Sequence, residues 1–316
     1  MKILIIKTDR VGDFLNISPI LKCLHDNNDD IDLVCSHYNY QIAKYYNFVK
    51  NFFILEKNLI SFIKKNKMYS RDYDVIIQLD GKKTSYLLAL FTKSKKKCAI
   101  QYKKVKTFFK KKFFITRPNI FIKFFFTNFI NCIDDYDIPN NKKYHYLNLY
   151  FKILKKLDRN ILQKKHYFHE SENIKKNKEL NFDDYALLHI DNRWKSFIND
   201  QILSDLINFI GKVSNEKNII ITSGPDNFML DRLSLLQNDR VKIIYNTKIS
   251  EIVSLIKYSN VVISSHSGII VHLAACFEKN IIDVVPSSIF NELDRWIPFD
   301  INYKRYSINE ILQIDL

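Results

Sequence analysis

Short β-branched apolar runs alternate with longer segments of helical periodicity along this chain, and the alternation runs through twice. A strand that is apolar at every position must be covered on both faces, and crossover helices supply that cover. The pattern therefore specifies βαβ units around a parallel sheet. In the first half it predicts strands over residues 2–7, 31–36, 52–55 and 74–79, with helices over 13–25, 40–46, 59–67, 84–91 and 144–157. Polar residues 158–184 read as a linker. Beyond them, strands over 185–190, 218–222, 241–245, 261–264 and 280–285 alternate with helices over 199–213, 226–236, 250–258 and 268–277. The expected architecture is α/β: two Rossmann-like doubly wound parallel-sheet domains facing across a cleft, residues 1–165 and 166–316. A final helix over 308–312 is expected to fold back onto the first domain.

In open parallel sheets ligands bind outside the carboxyl ends of the strands, so the loops that follow strands are where chemistry is expected. The first such loop is Thr8-Asp9-Arg10-Val11-Gly12-Asp13. A glycine there lets the backbone bend, which puts Asp13 at a helix start facing the cleft, although a plain helix cap would use the same residue. The second domain's first strand runs into Asp191-Asn192-Arg193-Trp194-Lys195-Ser196-Phe197, where a cation can neutralise a departing diphosphate. In Ser223-Gly224-Pro225-Asp226 the carboxylate of Asp226 can accept from ribose hydroxyls or cap a helix. The segment Ser265-His266-Ser267-Gly268 opens a helix whose free amides and dipole favour an anion. His272 follows on that helix, at a position where a core histidine is the commoner outcome.

Only five glycines occur, Gly12, Gly81, Gly211, Gly224 and Gly268, so neither a Gly-x-Gly-x-x-Gly loop nor a Walker phosphate loop can be written. The five cysteines are scattered, with no Cys-x-x-Cys pair, and are expected as reduced thiols in a cytoplasmic protein, not as a metal site. No stretch has the apolar length of a membrane span, because residues 113–130 are broken by Arg117, Pro118 and Lys123. Met1-Lys2 leads straight into an apolar run, so no secretory signal is expected.

The formal net charge is +15, and its distribution is uneven. Between Asp80 and Asp134 there is no acidic residue, whereas fourteen lysines and arginines fall there, Lys103 and Lys104 among them. Drift toward a lysine-rich composition adds lysines everywhere; it does not strip acids from one segment. That segment points to an anionic partner, whether nucleic acid, membrane surface or phosphorylated substrate. Phe108, Phe109, Phe113 and Phe114 alternate with its lysines and are candidates for entering a lipid headgroup layer.

Taken together and in order, the loops resemble those of the glycosyltransferase family 9 heptosyltransferases. The resemblance rests on Lys7 to Asp13 followed by Ser18-Pro19-Ile20-Leu21, on Asp74 to Gly81, on the Lys195 loop, on Ser223 to Asp226, and on Ser267-Gly268 through His272-Leu273-Ala274-Ala275. It implies a GT-B fold and transfer of heptose, with inversion, from ADP-heptose to the inner core of lipopolysaccharide, with no metal or other cofactor. It further implies Asp13 as general base, Lys195 as diphosphate ligand, Asp226 near the ribose, and His266, Ser267, Gly268 and His272 around the donor phosphates. Arg10, Asp80, Lys103 and Lys104 are expected as acceptor contacts, the two lysines from the acid-free segment. The implied partners are a nucleotide-sugar donor, a phosphorylated lipid A-core oligosaccharide and the anionic cytoplasmic face of the inner membrane, with no specific nucleic acid. One position departs from the family pattern Asp-Thr/Ser-Gly-x-x-His: His266 stands in place of the aspartate, and one more residue separates Gly268 from His272. That departure keeps a different nucleotide sugar open as donor. A non-catalytic, basic nucleic-acid-binding protein is the competing class, carried by charge alone.

Overall fold

The computed structural model describes residues 1–108, 111–117, 124–131, 145–169, 171–176, 182–214, 218–224 and 230–313. The chain divides into two compact units, Met1–Lys164 and Lys165–Leu316.

In the first unit the order is β1 (Lys2–Lys7), α1 (Val11–Leu15), α2 (Ser18–Asp26), β2 (Asp30–Cys35), α3 (His37–Ala43), β3 (Val49–Ile54), α4 (Leu59–Lys65), β4 (Tyr73–Gln78) and α5 (Lys83–Phe91). There follow β5 (Ser94–Phe108), β6 (Lys111–Arg117), β7 (Asn128–Asn131) and α6 (Tyr146–Lys156). The sheet runs β3-β2-β1-β4-β5-β6, with β7 also pairing β5. Among the described residues, only the β5–β6 hairpin is antiparallel. Strand order reverses at β1, which lies between β2 and β4. Ile3, Leu4, Ile5 and Ile6 are all fully buried, as a central parallel strand covered on both faces requires.

The second unit contains β8 (Ala186–Ile190), α7 (Asp200–Ser214), β9 (Ile219–Ser223), α8 (Leu230–Ser234), β10 (Val241–Ile244), α9 (Ile249–Tyr258), β11 (Val261–Ser264), α10 (Gly268–Cys276), β12 (Asn280–Val285), β13 (Tyr303–Ser307) and α11 (Ile308–Gln313). Its sheet is parallel throughout in the order β10-β9-β8-β11-β12-β13, reversing at β8. Helix α11 packs on α7 and β13 of its own unit, where Ile311 joins the core.

Two local departures from the sequence pattern have physical causes. The single helix expected over 13–25 is two helices, because Pro19 falls in the first turn of α2, where its missing N–H costs nothing but its ring opposes continuation from the preceding turn. Strands β5, β6, β7 and β13 were not anticipated: the lysines, arginines and tyrosines of β5, β6 and β13 read as solvated positions, and backbone pairing with neighbours makes all four strands.

Candidate active site

The loops after β1 and β4 lie side by side at the point where the first sheet reverses, and Asp80 joins them. It is 1% exposed, and its carboxylate accepts hydrogen bonds from the Thr8 N–H (2.8 Å), the Thr8 hydroxyl (2.9 Å), the Ser85 hydroxyl (2.9 Å) and the Lys82 N–H (2.9 Å). The Lys82 ammonium in turn donates to the Thr8 carbonyl. Asp80 therefore holds the Thr8–Asp13 loop in shape. The sequence marked it as an acceptor contact, but its oxygens are turned inward and engaged by protein donors.

Beneath the same loop the buried Lys7 ammonium donates to Asp9 Oδ2 (2.8 Å), the Leu79 carbonyl (3.0 Å) and the Tyr150 hydroxyl (3.1 Å). Burial works against that charge, but Asp9, Tyr150 and Asp13 outweigh it and raise the ammonium above its ordinary pKa. Asp9 is pushed up to about 6, first by burial, which outweighs Lys7, and then by the nearby Asp13 and Asp80 charges. Its Oδ1 is enclosed with no hydrogen-bond partner among the described residues.

Asp13 is the third residue of α1, and Arg10 is the cap residue. A carboxylate at this position that served the helix would accept the N–H of the cap residue, as in a capping box. Asp13 accepts no such bond, and the Arg10 side chain makes no cap either. Asp13 instead lines an open pocket of about 480 Å³, together with Asp9, Arg10, Val11, Tyr38 and Lys82. Arg10 is exposed there. Gly12 lies in the helix, and no glycine has positive φ, so the turn does not draw on glycine's conformational freedom. Asp9, Tyr38 and Lys82 were not singled out from sequence as site residues. Tyr38 follows β2, so a systematic reading of every loop after a strand would have found it.

In the second unit Lys195 sits in a 3₁₀ turn, Asn192–Ser196, after β8. The Asp191 carboxylate accepts the Arg193 N–H (3.0 Å), and buried Trp194 donates its indole N–H to the His189 carbonyl (3.0 Å), which leaves Lys195 on the exposed side. His189 itself is buried, and desolvation lowers it to about 4, so it is a neutral hydrogen-bond partner of Thr222.

The turn from β11 into α10 is built on a buried carboxylate, Asp283 of β12. Asp283 Oδ1 accepts from the Ser264 hydroxyl (2.8 Å) and the His266 N–H (3.0 Å), while Oδ2 accepts from the Tyr303 hydroxyl (2.7 Å) and lies 2.5 Å from His266 Nδ1. These contacts hold His266 at φ +51°, a left-handed conformation that a side-chain-bearing residue adopts only when anchored. Ser267 caps α10 without a side-chain hydrogen bond to it, Gly268 is its first residue, and the Ser265 hydroxyl is buried with no partner among the described residues. His272 is further along, buried and stacked on His166 at 5.1 Å between ring centres, a packing position and not part of the turn. Asp226 lies outside the described residues. Lys103 and Lys104 lie in β5, opposite Thr116 and Ile115 of β6.

No protein-family model matches this sequence, and no curated protein matches it. Solved structures do match. The Escherichia coli heptosyltransferase WaaC with ADP-2-deoxy-2-fluoro heptose aligns with a TM-score of 0.72 at 15% identity, over 99% of this chain and 98% of that one. The glycosyl transferase family 9 structure from Veillonella parvula aligns with a TM-score of 0.72 at 12% identity, over 100% and 90%. This chain has the GT-B fold of the heptosyltransferases. A UDP-GlcNAc 2-epimerase from Methanocaldococcus jannaschii also aligns, with a TM-score of 0.52 at 14% identity over 99% and 92%, so the fold by itself does not choose the reaction.

Proposed function

We propose that this protein is an inverting glycosyltransferase whose general base is Asp13. The observation that carries the reading is a carboxylate in the first turn of a helix, released from capping and open to a pocket at the reversal point of the first sheet. In the reaction, Asp13 takes the proton of an acceptor hydroxyl as the oxygen bonds to the anomeric carbon of the donor. The bond from that carbon to the nucleoside diphosphate breaks, and the diphosphate leaves with both electrons. Lys195 and the amides at the start of α10 meet its charge, so the scheme requires no metal.

The donor is ADP-heptose and the acceptor the phosphorylated inner core of lipopolysaccharide, met at the cytoplasmic face of the inner membrane. Support comes from the resemblance of the Lys7–Asp13 loop and from structural neighbours that carry ADP or an ADP-heptose analogue. A second donor class is kept by one observation: the α10 turn presents an imidazole, His266, fastened to Asp283, where the family pattern has a carboxylate.

Transfer assays with ADP-heptose and a deacylated core acceptor test the reading. A positioned base contributes about 10²–10⁴-fold in rate, so Asp13→Asn should lower kcat by that factor with ADP affinity unchanged. Near-full turnover by Asp13→Asn would remove the residue from the mechanism. Thermal shifts with ADP, UDP, GDP and CMP decide the nucleotide.

A further inference from the structure

A second pocket in the first unit, of about 450 Å³, lies at the junction of α5, β5 and the turn before β7. Leu90, Phe91, Ser94, Lys95, Lys97, Phe125 and Thr127 line it. Three phenylalanines stand in solvent here: Phe91 is 61% exposed, Phe124 81% and Phe125 64%. Each leaves a ring that burial would stabilise and that contributes nothing to the core. The next residue, Phe126, is buried edge-on against Tyr86 at 6.0 Å and also packs on Phe129. The exposed pair is thus presented from an anchored base.

The polar groups of this pocket are also incompletely served. The Ser94 hydroxyl is enclosed with no hydrogen-bond partner among the described residues. The half-buried Lys97 ammonium donates to the Thr92 carbonyl at 2.7 Å, and burial lowers its pKa, as for a cation that lacks a counter-charge. Lys96 is exposed beside it. The nearby carboxylates, Asp72 and Asp74, pair with Lys93 (2.9 Å) and Lys95 (2.7 Å) through exposed, weak ion pairs. From Gly81 to Ile133 the chain supplies no acid at all.

We propose that this face docks on an anionic lipid bilayer, with a lipid phosphate seated against Lys97 and Lys95 while Phe91, Phe124 and Phe125 enter the interfacial layer. Rings without a polar tip beside lysines match a boundary where acyl chains meet phosphates. The inference deepens the acceptor half of the proposed function, because a lipid-borne acceptor is held at such a surface. It locates the contact on the turn before β7, whereas the sequence pointed to Phe108, Phe109, Phe113 and Phe114.

The test is sedimentation of the full chain with vesicles of phosphatidylcholine alone or mixed with phosphatidylglycerol, at low and high salt. Binding is expected to the mixed vesicles at low salt. Lys97→Gln should weaken it about fivefold, and the double variant Phe124→Ser, Phe125→Ser about tenfold or more. Both variants should keep wild-type turnover on a soluble acceptor, because the substituted groups lie outside the Asp13 pocket, and the exposed phenylalanine pair should also keep the wild-type melting temperature. A Phe124→Trp probe should shift its emission to the blue on mixed vesicles relative to the wild-type protein. The proposal is overturned if the protein ignores mixed vesicles, if binding survives these substitutions, or if the probe does not shift. It is also overturned if single- or double-stranded oligonucleotides, not vesicles, bind through these residues. No turnover is read in the binding assay, and Asp13→Asn should bind vesicles as wild type, so failure here and failure of the transferase reading remain separate results.

Discussion

Replacing Asp80 with alanine removes the carboxylate that joins the loops after β1 and β4. Four donors point at it at 2.8–2.9 Å, and a fifth, Gln78 Nε2, at 3.1 Å. Not all of them would be stranded. The hydroxyls of Thr8 and Ser85 are already 3.3 Å apart and can pair with each other. Gln78 keeps the Asp80 carbonyl, and the part-buried Lys82 N–H can reach water. The buried Thr8 amide is left without an acceptor, at about 1–3 kcal/mol, and loss of the charge-assisted bonds adds about 1.5–3 kcal/mol. A total of about 2.5–6 kcal/mol, at about 2–4 °C per kcal/mol for a unit of this size, lowers Tm by about 5–24 °C. Asp80→Asn retains one accepting oxygen and should lose about half as much. Scanning calorimetry of the three proteins measures the shifts, and kcat should fall in Asp80→Asn well below its melting range, because the loop that carries Asp13 relaxes. An Asp80→Ala protein melting within about 2 °C of wild type would show that these bonds do not hold the loop.

Asp9 has a folded-state pKa raised from 3.8 to about 6, so its contribution to stability is fully present below about 4 and is lost as pH rises through 6. The urea midpoint of the wild type should therefore fall relative to Asp9→Asn between those pH values; a difference flat in pH would refute the assignment. Lys195→Ala should weaken ADP by about 10–100-fold, the worth of a charged hydrogen bond, measured by calorimetry, while leaving the melting temperature of the free protein unchanged. Asp283→Ala strips the anchor from Ser264, His266 and Tyr303 and should destabilise the second unit by about 3 kcal/mol or more, and the same substitution should lower ADP affinity by releasing the α10 turn. Equal ADP binding by a folded Asp283→Ala protein would detach that turn from the donor.

Much of this protein was determined by order along the chain. Apolar runs such as Ile3 to Ile6 can be buried only between two layers of helices, so the doubly wound sheets follow from local pattern, and Asp13, the first acid of the first helix, follows from the strand-to-helix order. Tertiary structure decided the rest, because the deciding contacts join residues distant in sequence. Asp80 and Thr8 are 72 positions apart, and only their meeting shows that Asp80 shapes the loop after β1. His266 and Asp283 meet from neighbouring parallel strands, which turns a missing aspartate into a histidine anchored by one. The lysine-rich β5 reads as a solvated run until β4 and β7 pair with it. No local pattern records those pairings, because a hydrogen bond between strands depends on which backbone arrives alongside and hardly at all on the side chains it carries.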